Sequence, residues 1–206
     1  MKNYRKLLAG SLALLLAVGI TGCSNTSGGG TGVANEDGLV VLNVASTGQP
    51  VSFNPADANL VVNEYTEYDC YDTLLDFNQD GTDVVPALAE SWEQVDDLTY
   101  TYKIREGVKF SDGSDLTMDD VLYSLNRVRE DAYGMSYLFE HVDSFEVDEA
   151  TRTLTVHLTQ PDSTWKYVPA TTPCQILKKS VVEAEGDAYG TNEGSVVGTG
   201  PYKFVS

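Results

Sequence analysis

Few residues in this chain of 206 stand at the spacings that chemistry demands. Asp76, Asn78, Asp80 and Gly81 reproduce the first half of a calcium-binding EF-hand loop, whose oxygen ligands would wrap a divalent cation. The twelfth position of that loop requires a bidentate Glu. Here it is Ala87, preceded by Pro86, so the run predicts a hairpin turn instead. His141 and His157 are the only histidines, and neither has a Cys, His or carboxylate at ligand spacing in the chain, so no metal centre is expected. Gly198-Thr199-Gly200 lacks both the glycine spacing and the Lys-Ser/Thr ending of a phosphate loop. No Gly-x-Ser-x-Gly elbow and no supported Ser/His/Asp set occurs, and no cofactor is implied. Carboxylates are numerous enough for a glycosidase-type pair, but nothing singles out two of them.

Cys23 is the residue with a defined chemistry. Lys2, Arg5 and Lys6 precede an apolar run from Leu7 to Ile20, too short to span a membrane convincingly and typical of an export signal. The run ends in Ile20-Thr21-Gly22-Cys23, which resembles a bacterial lipobox. Small residues there admit the signal peptidase, and the thiol then takes a diacylglycerol. Each buried methylene contributes about 0.8 kcal/mol, and two or more acyl chains hold a protein where one does not. The expected organisation is a leader over 1–22, a lipidated Cys23 with a flexible tether over 23–38, and a folded body over 39–206. Such a protein sits lipid-anchored on the extracytoplasmic face of the cell membrane.

Charge agrees with an exported surface. The chain carries 13 Lys and Arg against 31 Asp and Glu, a net charge of −18, and loss of the three leader cations takes it to −21. Nucleic acid and anionic membrane both need clustered Lys and Arg, so nucleic-acid binding is excluded. With Cys23 lipidated, Cys70 and Cys174 remain. In an oxidising compartment they form either a disulfide or two separate buried thiols.

The positioning elements are mixed α and β. Leu39–Ala45 reads as a buried first strand, and Val61, Tyr65, Tyr68, Asp72 and Leu75 recur at helical spacing over 61–75. Tyr100, Tyr102 and Ile104 alternate with Thr99, Thr101, Lys103 and Arg105, the period of a half-buried strand. Ser111-Asp112-Gly113 is a turn. Thr117 stands three residues before Asp120 as a capping box for a helix whose apolar face is Val121, Leu122, Leu125 and Val128. Residues 144–148 and 152–159 read as a hairpin with Leu154, Val156 and Leu158 inward. A short helix over 178–186 and a strand over 198–204 complete the chain.

The order of these pieces is similar to that in the extracytoplasmic solute-binding proteins of ABC importers, the large peptide/nickel-binding family (family 5). The resemblance rests on Pro86–Trp92 (PALAESW), Asp96-Asp97, the aromatic strand to Arg105, Gly107–Gly113 (GVKFSDG) and Asp119-Asp120. Ser52-Phe53-Asn54-Pro55, Tyr71–Leu75 (YDTLL) and Val197–Tyr202 (VGTGPY) extend it over nearly all of 39–206. It implies an α/β, periplasmic-binding-protein-like fold of the class II type, of which only the N-terminal part of the first lobe and its extra subdomain is present. It also implies a binding role without catalysis, with a peptide or other small solute and the ABC permease subunits as partners.

Carried over to this sequence, the resemblance places Asn59, Leu60 and Val61 where relatives pair with an extended peptide as an added strand. Tyr133 and Tyr137 fall in the loop after the capped helix, and Thr171 and Thr172 in the loop before the lysine-rich helix; both loops border the cleft in relatives. The chain ends just after GTGPYKF, whereas such proteins are more than twice as long. The expectation is therefore an N-terminal portion of a longer reading frame that alone binds solute weakly or not at all. An extracellular carboxylate-based hydrolase is the competing class. It predicts turnover, while a binding protein predicts stoichiometric capture.

Overall fold

The alternation at Tyr100, Tyr102 and Ile104 is met by exposures of 2%, 0% and 0% in the computed structural model, which describes residues 33–34, 40–41, 48, 52–55, 68–130, 135–191 and 194–204. Two compact units divide between Ala45 and Ser46. In the first, β1 (Val33–Ala34) pairs antiparallel with β2 (Val40–Val41). The described part of the expected first strand is thus extended.

In the second unit, β3 (Leu75–Phe77) and β4 (Val84–Pro86) form a hairpin. The Asn78 side chain closes it by accepting from the backbone N–H of Thr82 at 2.8 Å and of Asp83 at 3.2 Å, while Gly81 takes a φ of 66°. The calcium-like spacing is therefore the chemistry of a turn. The helix expected over 61–75 stops earlier: residues 68–70 are helical, and the chain then straightens into β3. Leu74 and Leu75, adjacent and both fully buried, suit a strand entrance covered on both sides better than one face of a helix.

The main sheet comprises β5 (Ala89–Asp96), β6 (Thr99–Ile104), β7 (Val142–Asp148) and β8 (Thr153–Leu158) in the order β5-β6-β8-β7, with every neighbouring pair antiparallel. Tyr100 faces Val156 and Tyr102 faces Leu154 across the central pair. Leu154, Val156 and Leu158 point inward as expected, and Arg152 turns the hairpin at a φ of 51°.

Helix α1 (Met118–Arg129) begins as its sequence dictates. Thr117 Oγ1 accepts from Asp120 N–H at 3.1 Å, and the Asp120 carboxylate accepts from Thr117 N–H at 3.0 Å. Acids in its first turn and Arg127 and Arg129 in its last complement the dipole. Its buried face is Met118, Asp120, Val121, Ser124, Leu125 and Val128. Ser124 stands there in place of the expected Leu122, because its hydroxyl accepts from Leu177 N–H at 2.9 Å and donates to Asp120 O at 2.7 Å. Asp120 Oδ1 also accepts from Lys179 N–H at 3.0 Å, tying α1 to α2 (Lys179–Glu185).

Between the sheet and α2 the chain runs through two 3-10 turns, Trp165–Ala170 and Thr172–Cys174. The core joins the inward residues of β6 and β8 to α1, Phe139, Trp165 and Cys174. A second apolar cluster gathers Phe53, Cys70, Tyr71, Leu177, Val182, Tyr189 and Val196. Residues 198–204 are not the expected strand. They pack across residues 69–70, and Pro201 has no N–H to offer a ladder. Among the described residues no helix is long and apolar enough to cross a membrane.

Candidate functional site

The motifs that carry the family likeness converge on the segment 69–72. Gly200 N–H donates to Cys70 O at 3.0 Å and Tyr202 N–H to Asp69 O at 3.0 Å, while Gly198 O accepts from Ser111 N–H at 2.8 Å. The GTGPY run thus binds the end of the 68–70 helical turn on one side and the GVKFSDG turn on the other. Phe53 N–H donates to Gly190 O at 2.8 Å, and Arg127 donates to Asn54 Oδ1 at 2.9 Å. Tyr71 and Tyr189 share a buried hydroxyl–hydroxyl hydrogen bond of 2.9 Å, with the Arg127 guanidinium 5.8 Å from the Tyr189 ring centroid. These contacts fix one wall and leave Tyr68 partly outside it.

Against that wall lies a cleft of about 70 Å³ lined by Tyr68, Tyr71, Asp72, Thr73, Asp76 and Ala87. Burial pushes the Asp72 carboxyl above the usual carboxylate range, with the Thr199 hydroxyl opposing and the Asp76 charge adding to the rise. The folded state therefore holds the Asp72 proton to higher pH than the unfolded chain does. Stability attached to this group falls as pH rises through its folded value, and neutral solution carries the cost. Asp72→Asn is expected to raise the melting temperature at neutral pH and to lose that advantage near about pH 4. A variant less stable than wild type at neutral pH would contradict the assignment.

Asp112 has the opposite sign. Lys178, ahead of the Ser114 N–H and hydroxyl, holds its carboxyl far below the usual range, so its contribution is present at neutral pH and disappears in acid. A wider concavity of about 430 Å³ lies beside Asp96, Asp97 and His157 at the sheet end. It is open sheet surface formed by the β5–β6 turn, without the converging side chains of the smaller cleft.

Of the residues expected at a ligand cleft, Thr172 is joined to this one: it is buried, and its hydroxyl donates to Tyr68 Oη at 3.1 Å. Thr171 points elsewhere, its hydroxyl donating to Val168 O at 2.7 Å and facing Cys174 Sγ at 3.6 Å. Tyr137 stands 62% exposed on the 3-10 turn Ser136–Phe139 and does not line the cleft. Cys23, Asn59, Leu60, Val61 and Tyr133 lie outside the described residues. Tyr68, Asp72 and Asp76 carry no sequence signal of a cleft, because their spacing of four mimics a helix face.

Cys70 and Cys174 are free and buried, which decides between the two expectations for this pair. Burial pushes the Cys174 thiol up to about 12, leaving it unreactive. The fold brings His141 a carboxylate that linear spacing concealed, Asp162, whose Oδ2 is 3.1 Å from Nδ1, and the adjoining Glu140 Oε1 lies 3.4 Å from Nε2. His157 Nε2 is 3.6 Å from Glu146 Oε2. These are side-chain pairs, and among the described residues no group of three or more His, Cys, Asp or Glu is placed to hold a metal ion.

Comparison with known proteins places this arrangement. Residues 83–206 match the family model described as bacterial extracellular solute-binding proteins, family 5, middle. The HTH-type transcriptional regulator SgrR of Escherichia coli (strain 536) is 29% identical over 135 residues, covering 66% of this chain and 22% of the regulator. Haemophilus influenzae OppA in complex with RPPGFSPFR matches with a TM-score of 0.68 and 27% identity, over 77% of this chain and 34% of OppA. Bacillus subtilis AppA in complex with a nonapeptide gives 0.68 and 27%, over 78% of this chain and 33% of AppA. The chain thus spans about a third of these solved structures and less of the regulator. Its fold is the periplasmic-binding-protein type, present as part of a lobe.

Proposed function

Since the chain belongs to the bacterial extracellular solute-binding proteins of family 5, we propose that it is the N-terminal part of a substrate-binding lipoprotein of an ABC importer, one that captures oligopeptides or dipeptides outside the membrane and delivers them to the permease. The observation that carries this reading is the likeness to OppA and AppA, both solved with peptides, at 27% identity. The cleft of Tyr68, Tyr71, Asp72, Thr73 and Asp76, flanked by Thr172, supplies hydroxyls, carboxylates and an aromatic face to one side of a solute. A second lobe closing over it would complete the enclosure, and occupancy would be read as a shift towards the closed form. Binding without turnover follows from this reading.

The test is a thermal-shift screen of the product of the complete reading frame against tri- and tetrapeptides, nickel and oligosaccharides. At a ligand concentration of one hundred times Kd the expected stabilisation is about 2.7 kcal/mol, a rise of several degrees. Hydrolysis of a peptide or oligosaccharide probe would favour the carboxylate-based hydrolase instead. A rise with nickel or sugar alone would keep the binding role and replace the peptide.

The anchor has its own outcome. Cys23→Ser is expected to abolish palmitate labelling and move the protein from the membrane pellet to the soluble fraction. Labelling that survives the substitution would remove the lipid anchor from the proposal.

A further inference from the structure

We draw no further inference here: the strongest candidate, the acidic pair Asp72 and Asp76 in the small cleft beside Tyr68, belongs to the site already described, and nothing in the structure shows which ligand it would take.

Discussion

Trp165→Ala is expected to cost about 3–5 kcal/mol, the range for removing a large aromatic side chain from a closed core. Trp165 is 1% exposed and opens the 3-10 turn that carries the chain from the sheet towards α2. Its ring meets Phe139 edge-on, with centroids 5.4 Å apart and planes at 81°, and it shares a core with Tyr102, Leu154 and Cys174. Alanine leaves a void bordered by a sheet, a helix and a turn, elements that cannot all move in to fill it. A domain has about 5–15 kcal/mol in total, so the loss is a large fraction of the margin. Equilibrium urea unfolding followed by far-UV circular dichroism reads it. Trp165→Phe keeps the edge-on contact and is expected to recover more than half of the loss. A Trp165→Ala variant within 1 kcal/mol of wild type, read against the spread known for such deletions, would show that the turn is not part of the core.

That residue also shows where sequence reading stops. Between Gln160 and Leu177 the buried residues include Trp165, Val168, Pro169, Ala170, Thr172, Cys174, Gln175 and Ile176; Trp165, Val168, Pro169 and Thr172 fall at helical spacing, but Pro169 and Pro173 deny an α-helix there. Two 3-10 turns bury them instead, and segments this short have no period of their own by which the sequence could announce them. Strand β5 is hidden for a different reason. As an edge strand it exposes Glu90, Ser91, Glu93, Gln94, Val95 and Asp96, so no alternation survives. Strands β6 and β8 are legible because each has one face on the core and one on solvent, and α1 because its cap and its stripe agree. The fold class follows from those three elements and the motifs between them. The cleft does not, since it is made by chain folding back on chain: Thr172 reaches Tyr68 across more than a hundred residues. Asp72 and Asp76 are four apart, but the backbone between them is not helical, bending at Leu74 before it enters β3, so helical spacing gives the wrong geometry.

Gly198 is where a single methyl group should do most harm. It is buried, and a Cβ built on it runs into the carbonyl of Cys70 and the edge of the Tyr71 ring, while its own carbonyl accepts from Ser111 N–H at 2.8 Å. The chain is held on both sides, so it cannot retreat from the collision without giving up a hydrogen bond. Gly198→Ala is expected to cost about 1–3 kcal/mol and Gly198→Val more, as overpacking against backbone does. Gly81 provides the control, because it sits in open space at a φ of 66° and loses only its conformational freedom on substitution. Gly81→Ala should cost about 1–2 kcal/mol, with little further loss to a serine of similar size, whereas at position 198 the loss should climb with side-chain volume. Thermal unfolding of the four variants separates the two mechanisms, and equal slopes at both positions would show that contact with Cys70 is not what requires glycine. The loop also backs the Tyr71 and Asp72 wall of the cleft through Cys70 and Tyr71. On the proposed reading, the peptide-dependent rise in melting temperature should therefore survive Gly81→Ala and shrink in Gly198→Ala.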